Sequence, residues 1–187
     1  MKVRKDQLVS IWKKFLVGDR QACREIFYKC YLDLYNYGMR LGFSKEIVED
    51  QIQELFLYLY EHCEDLNSEV NNVLSYLMIS LRRRLINMKH FDYTELSADD
   101  TLDHFELGIE DIIVHGEDSK SLETVFAKTL DQLPARQREV IYLKYYYNFS
   151  IPEIVEVTGI SYQVVANMLY RAIKKLRKEE QLRRLLS

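Results

Sequence analysis

Residues 150–178 read SIPEIVEVTGISYQVVANMLYRAIKKLRK, and their local chemistry spells helix, tight turn, helix. Ser150 and Glu153 have the spacing of a capping box, and Pro152 falls in the first turn, where its missing N–H costs little. Ile151, Ile154, Val155 and Thr158 recur at helical spacing. Gly159 offers a left-handed terminator, Ile160 a plug for the angle between helices, and Ser161 a cap for the next helix. On that second helix Val165, Met168, Leu169, Ala172 and Leu176 cluster inward, leaving Gln163, Asn167, Tyr170, Arg171, Lys174, Arg177 and Lys178 on the outer arc. The pattern predicts a helix-turn-helix whose second helix suits the DNA major groove, with N-terminal residues at base edges and a basic half along the phosphates. Gln163 and Asn167 each carry an amide able to pair bidentately with adenine, while Arg171, Lys174 and Lys175 supply charge with little sequence information. A plain helical hairpin with a solvated basic end is the competing reading. Upstream, LPARQRE at 133–139 opens another helix, and Arg136, Arg138 and Lys144 are candidates for further phosphate contact.

The rest of the chain agrees with a helical protein. Among 187 residues there are 6 Gly and 2 Pro, while 48% are hydrophobic and 12% aromatic. Collagen-like, low-complexity and mostly disordered chains are excluded, and the composition argues against sheets joined by many tight turns. The formal charge of −3 conceals a partition. From Phe91 to Asp118 there are ten acids and no Lys or Arg, so the remainder carries +7. The fold class expected is all-α: two small helical domains, 1–90 and 121–187, joined by an acidic linker over 91–120. In the first, breaks at Gly18-Asp19, Gly42 to Ser44 and 67–72 leave four helical segments, with Asp19 and Ser44 as caps. In the second, breaks at Leu133-Pro134, Asn148 to Ser150 and Gly159 to Ser161 again leave four, the last one long.

Cys23, Cys30 and Cys63 are odd in number and share no C-x-x-C spacing, which fits buried thiols in a reducing cytosol. The opening MKVRKDQLVSIWKKFLVGD carries Asp6, Lys13 and Lys14 across any apolar run, so neither a secretory leader nor a membrane anchor is expected. A cytoplasmic protein without membrane insertion follows.

Two helices of the first domain have unusual outer faces. The segment 45–64 turns Val48, Ile52, Leu55 and Leu59 inward and Asp50, Gln53, Glu54 and Glu61 outward, with Leu57 in the middle of the acidic face. A greasy anchor with a charged rim is how a protein-binding face looks, although a single exposed leucine is also ordinary. No Gly-rich loop accompanies the carboxylates, and no catalytic site, metal or cofactor is expected. On the next helix Leu74, Leu77, Met78, Leu81, Leu85 and Met88 form an inward stripe. Tyr76, Ile79, Arg83, Ile86 and Asn87 project away from it, flanked by Arg82 and Arg84. Rings and guanidiniums on one face suit a single-stranded nucleic-acid platform or, more plainly, a basic surface helix.

Taken together, these segments resemble the sigma-70 family. DQIQELFLYLY at 50–60 is similar to the region 2.2 helix, usually D-x-x-Q-E-x-F-x-x-x-(W/Y). YLMISLRRRLIN at 76–87 resembles the promoter-melting and downstream-element helix that follows it. Residues 133–178 resemble region 4, with an LPxxxRxV opening and a G-I-S-x-x-x-V turn. Order, spacing and small size are similar to the extracytoplasmic-function group of sigma factors.

The resemblance implies a dissociable subunit of bacterial RNA polymerase that recognises and opens promoters and is not itself an enzyme. Asp50, Gln53, Glu54 and Leu57 would dock on the clamp helices of the largest core subunit. Tyr76, Arg82, Arg83 and Arg84 would engage the opened minus-ten element. The minus-thirty-five element would fall to Ser161, Gln163, Asn167, Tyr170, Arg171, Lys174 and Lys175, with Arg136 and Arg138. The flap of the second-largest subunit and an anti-sigma factor are further implied partners. The linker would thread the core enzyme toward the RNA exit path, as an electrostatic mimic of nucleic acid or as a flexible tether. Four positions depart from the family pattern, one of them Asn148, which stands where Gly is usual and tolerates the left-handed turn. Arg83 stands where Asn is frequent and favours a phosphate contact over a base pocket. Ala166 and Met168 stand where Lys and Arg are frequent and leave the front of the recognition helix uncharged. Two other classes stay open: a stand-alone helix-turn-helix regulator, and a degenerate sigma-like protein that occupies polymerase without reading promoters.

Overall fold

The computed structural model describes residues 5–66, 69–92, 104–107, 130 and 132–186, with side chains for all of these but 89–92 and 176–186. It divides into two compact units, Met1–Ala98 and Asp99–Ser187. Among the described residues all regular structure is helical, as the composition predicts.

The first unit contains α1 (Lys5–Leu16), α2 (Arg20–Arg40), α3 (Lys45–Glu61), a 3-10 turn at Cys63–Asp65 and α4 (Val73–Asp92). The expected caps are in place. The Asp19 carboxylate accepts from the amides of Gln21 and Ala22 at 2.9 and 3.2 Å, and the Ser44 hydroxyl from Ile47 at 3.4 Å. Asn72, at the predicted break, accepts from the Ser75 amide at 3.3 Å and so starts α4. Helix α2 packs against α1, α3 and α4. The core it organises is closed by Trp12, Phe15, Ile26, Leu34, Tyr37, Ile52, Leu55, Leu77 and Leu81, all buried. Each such side chain contributes roughly 1.5–3 kcal/mol by leaving water. Gly38 permits the tight crossing of α2 and α3: a Cβ there would lie 2.7 Å from Val48 Cγ1.

The second unit contains α5 (Ala135–Ile141), a π-helical turn at Tyr142–Tyr146, α6 (Ile151–Thr158) and α7 (Tyr162–Leu186). The helix expected over 121–133 lies outside the described residues except for its end. The π turn unwinds a segment crowded with rings: Tyr142 stacks on Tyr146 at 4.9 Å and meets Tyr147 edge-on at 5.2 Å. Asn148 then takes a left-handed conformation (φ 54°), and the Phe149 amide closes the turn on the Leu143 carbonyl at 3.1 Å.

The acidic stretch is less uniform than its charge suggests. Helix α4 runs on to Asp92, the unit boundary falls between Ala98 and Asp99, and residues 104–107 pack on the second unit. Phe105 is 1% exposed, its ring 5.6 Å from that of Tyr142, and Leu107 packs on Leu130, Leu133, Ile141 and Ala172. Two apolar side chains at alternate positions anchor this irregular segment; the acids around them hid it from a charge count. No helix, among the described residues, is long and apolar enough to cross a membrane.

Candidate nucleic-acid and protein interface

The helix-turn-helix takes the geometry its punctuation predicts. Ser150 Oγ accepts from the Glu153 amide at 3.4 Å, while the Glu153 carboxylate accepts from the Ser150 amide at 2.6 Å, completing the capping box. Gly159 has φ 72° and donates to the Val155 carbonyl at 2.8 Å, a left-handed stop. The Thr158 hydroxyl donates to Ile154 O at 2.7 Å and accepts from the Ile160 amide at 3.3 Å, so it stitches the turn to α6.

On α7, Val165, Leu169 and Ala172 are buried and Met168 is half-buried, while Ser161, Gln163, Asn167, Tyr170, Arg171 and Lys174 are exposed and Lys175 half-exposed. Amides and cations therefore share one outward arc. Ala166 and Met168 are only partly accessible, so the uncharged front of the helix reflects positions that flank the arc. Two exposed apolar side chains, Tyr162 and Val164, border the amides and were not singled out from periodicity. The basic residues of α5 and of the π turn after it make contacts of their own. Arg138 is half-buried and its Nε donates to the Phe105 carbonyl at 2.7 Å; Lys144 donates to the Phe149 carbonyl at 3.2 Å. Both are committed to chain contacts within the unit. Arg136 is half-buried.

On α3, Val48, Ile52, Leu55 and Leu59 are buried, and Asp50, Gln53, Glu54 and Leu57 all lie in solvent. Leu57 is 51% exposed, a large apolar side chain held out from its own core. Helix α2 adds Tyr28 and Leu32, also strongly exposed, one turn apart.

Helix α4 divides the residues expected to act together. Arg83 is exposed and Arg84 half-buried, but Arg82 is 7% exposed and so turned to the core side with Ser75. The reason is angular: Arg82 lies next to Met78, Leu81 and Leu85, and the buried arc is wide enough to include it. Tyr76 is half-buried, its ring edge-on to Trp12 at 5.3 Å. Burial raises its phenol pKa, with a further push from Tyr58. Tyr58 and His62, unnoticed in the sequence, join this neighbourhood. Arg84 lies over the Tyr58 ring at 5.4 Å, and His62 stacks on the same ring at 4.3 Å. Their i, i+4 spacing on an exposed helix face was the available signal.

No group of His, Cys, Asp and Glu among the described residues could hold a metal ion. Cys23 and Cys30 are buried and Cys63 half-buried, all as free thiols.

Comparison with known proteins accounts for both units. Residues 27–90 match the family described as Sigma-70 region 2, and residues 124–176 match Sigma-70, region 4. The chain is 30% identical over 176 residues to the ECF RNA polymerase sigma factor SigW of Bacillus subtilis (strain 168), covering 89% of this chain and 93% of that protein. It is 26% identical over 162 residues to the RNA polymerase sigma factor SigV of the same organism, covering 84% and 93%. Its fold is similar to CnrH, solved in complex with the cytosolic domain of CnrY, at a TM-score of 0.56 and 17% identity, covering 93% and 97%. It is also similar to the sigma factor RpoE of Bartonella quintana, solved with the anti-sigma factor NepR, at 0.55 and 19%, covering 84% and 96%. Two helical units of this kind, one ending in a helix-turn-helix, define a transcription-initiation factor. The chain belongs to the sigma-70 family of RNA polymerase sigma factors, in the extracytoplasmic-function group. As a sigma factor it directs promoter-specific initiation by the polymerase, in a family of transcription factors rather than catalysts.

Proposed function

We propose that the two units divide the work of a sigma factor in the order their surfaces suggest. Residues 1–90 bind the clamp helices of the largest core subunit and recognise and melt the minus-ten element. Residues 121–187 read the minus-thirty-five element and meet the flap of the second-largest subunit. The chain itself catalyses nothing, and its place of action is the cytoplasm. The observation that carries this reading is Leu57, 51% exposed among the exposed Asp50, Gln53 and Glu54. Desolvating that leucine on a basic partner helix, with the carboxylates at the rim, provides both affinity and orientation.

On DNA, Gln163 and Asn167 supply the base-edge amides, and Ser161, Tyr170, Arg171, Lys174 and Lys175 bind around them, mostly at phosphates. Tyr76, Arg83 and Arg84 serve the opened strand. Arg82 and Arg138, being engaged within their own units, position neighbours, and Arg136 stands at the edge of the duplex contact. RpoE was solved with the anti-sigma factor NepR and CnrH with the cytosolic domain of CnrY, which supports an anti-sigma factor as a partner here.

The test is run-off transcription by core polymerase with and without the purified chain, alongside size-exclusion chromatography of the mixture. Co-elution and promoter-dependent transcripts are expected, and Asp50→Lys with Glu54→Lys should abolish both. Tight duplex binding by the free chain, with no co-elution, would favour the stand-alone regulator. Co-elution without transcripts from any promoter would favour a polymerase-occupying protein.

A further inference from the structure

Helices α2 and α3 run antiparallel, and four contacts set their register. Gly38 packs on Val48, the Tyr31 hydroxyl donates to the Glu49 carboxylate at 3.3 Å, the Phe27 and Phe56 rings are 5.0 Å apart, and the Arg20 guanidinium carbon is 5.4 Å from the Tyr60 ring centroid. The partner on α3 advances as the residue on α2 recedes, so Cys23, between Arg20 and Phe27, falls opposite the end of α3. Cys63 opens the 3-10 turn just beyond that end. It lines a cavity of about 170 Å³ with Phe15, Asp19, Arg20 and Tyr60, and the Cys23 amide donates to the Asp19 carbonyl at 3.4 Å. Two thiols far apart in sequence thus converge on the first turn of α2. Burial raises the Cys23 thiol first and the Cys63 charge raises it further, whereas the charges that bear on Cys30, beyond its burial, are those of Asp33 and Lys29. Cys23 is buried and Cys63 half-buried at the cavity, so the two differ in their access to solvent.

We propose that Cys23 and Cys63 are a dithiol pair that hydrogen peroxide converts to a disulfide, a redox-sensitive staple between the start of α2 and the turn that leads into α4. Cys63, the accessible partner, reacts first: its sulfur takes a hydroxyl from the peroxide as the O–O bond breaks, leaving a sulfenic acid and releasing water. The Cys23 sulfur then attacks the sulfenic sulfur. The S–S bond forms as the S–O bond breaks, and the departing hydroxyl leaves with the Cys23 proton as a second water. The pair of thiols has given up its two hydrogen atoms, and the peroxide has been reduced to water. Burial keeps the proton on Cys23, which suits it to the resolving step and not to the first attack. Hydrogen peroxide is small and uncharged, so neither the cavity nor the mixed charges at its edge, Glu61, Glu64 and Asp65 against Arg20, exclude it.

The experiment treats the reduced full chain with hydrogen peroxide, caps the remaining thiols by alkylation, and maps disulfides by mass spectrometry of the unreduced digest. The folded chain should give one monomeric product linking Cys23 to Cys63, with Cys30 still a thiol, and dithiothreitol should reverse it. Unfolded in urea, the same chain should instead favour the shorter Cys23–Cys30 loop. The oxidised folded chain should melt several degrees above the reduced one, because the staple closes a long loop of the unfolded chain. Cys63→Ser, and separately Cys23→Ala, should give neither the link nor the rise, while Cys30→Ala should keep both. The same mixture of pairings in the folded and urea-unfolded chains overturns the proposal, as does a Cys63 carried on to sulfinic acid, or joined to a second chain, while Cys23 stays free.

Discussion

Arg138 Nε lies 2.7 Å from the carbonyl oxygen of Phe105, a residue 33 positions earlier in the chain whose ring is buried against Tyr142. An arginine that composition would spend on phosphate instead holds a piece of the acidic linker to the second unit. The guanidinium makes a charge-assisted bond to a main-chain oxygen, stronger than a neutral pair, and the ring beside it excludes water.

Phe105→Ala should therefore destabilise the second unit, by up to about 3 kcal/mol if the pocket cannot collapse. Thermal unfolding of the full chain followed by Tyr fluorescence reads this out. Glu106→Ala, at an exposed neighbour, should change stability by no more than about 0.5 kcal/mol. Equal effects of the two would mean that the anchor is not the ring.

Gly38→Ala should cost about 1–3 kcal/mol, because the new methyl carbon would sit 2.7 Å from Val48 Cγ1 and force α2 and α3 apart. Val48→Ala alone should also destabilise, by opening a cavity. The double variant should be more stable than the sum of the two losses, a coupling that urea denaturation of all four chains resolves.

Asn167→Ala and Arg171→Ala should fail in different ways on α7. Loss of the amide should relax selectivity at one base pair, by about 1–3 kcal/mol between preferred and other bases. Loss of the guanidinium should weaken all sequences alike and reduce the salt slope of holoenzyme binding by about one. Titrations of the parent and variant holoenzymes against a randomised upstream element at several salt concentrations separate the two.

Burial pushes the Cys30 thiol up to about 12, with the Asp33 charge adding to the shift and Lys29 opposing it. Burial first, then the Cys63 charge, raises Cys23. For such a group the folded state holds its proton more tightly than the unfolded chain. The stabilising contribution is complete below the ordinary value of 9.0 and is lost as pH rises from there toward about 12. Melting temperature should fall between pH 9 and 11, and Cys30→Ala should flatten that slope. At pH 8 a thiol reagent should modify the half-buried Cys63 well before Cys30.

Much of the fold was legible because helix signals are local. Asp19, Ser44, the Ser150–Glu153 box and Gly159 each act through atoms within four residues, so a linear reading found them. The inward stripes of α3 and α7 were legible for the same reason, since helical periodicity alone places Ile52 or Val165. The burial of Arg82 and the main-chain bond of Arg138 were not legible, because an arginine has the same formal charge in water and against a core. Its long stem lets it go to either, and the neighbours that decide come from distant parts of the chain.

By itself the sequence determined the all-α class, the helix-turn-helix and the outward stance of Leu57. All of these follow from spacing and capping within a few turns. Tertiary structure alone decided that Phe105 and Leu107 belong to the second unit, that Gly38 is a crossing point, and that Tyr58, His62 and Arg84 form one layer. Each of those depends on which surfaces meet across separate segments. That is settled by the packing of whole helices, and no local periodicity encodes it.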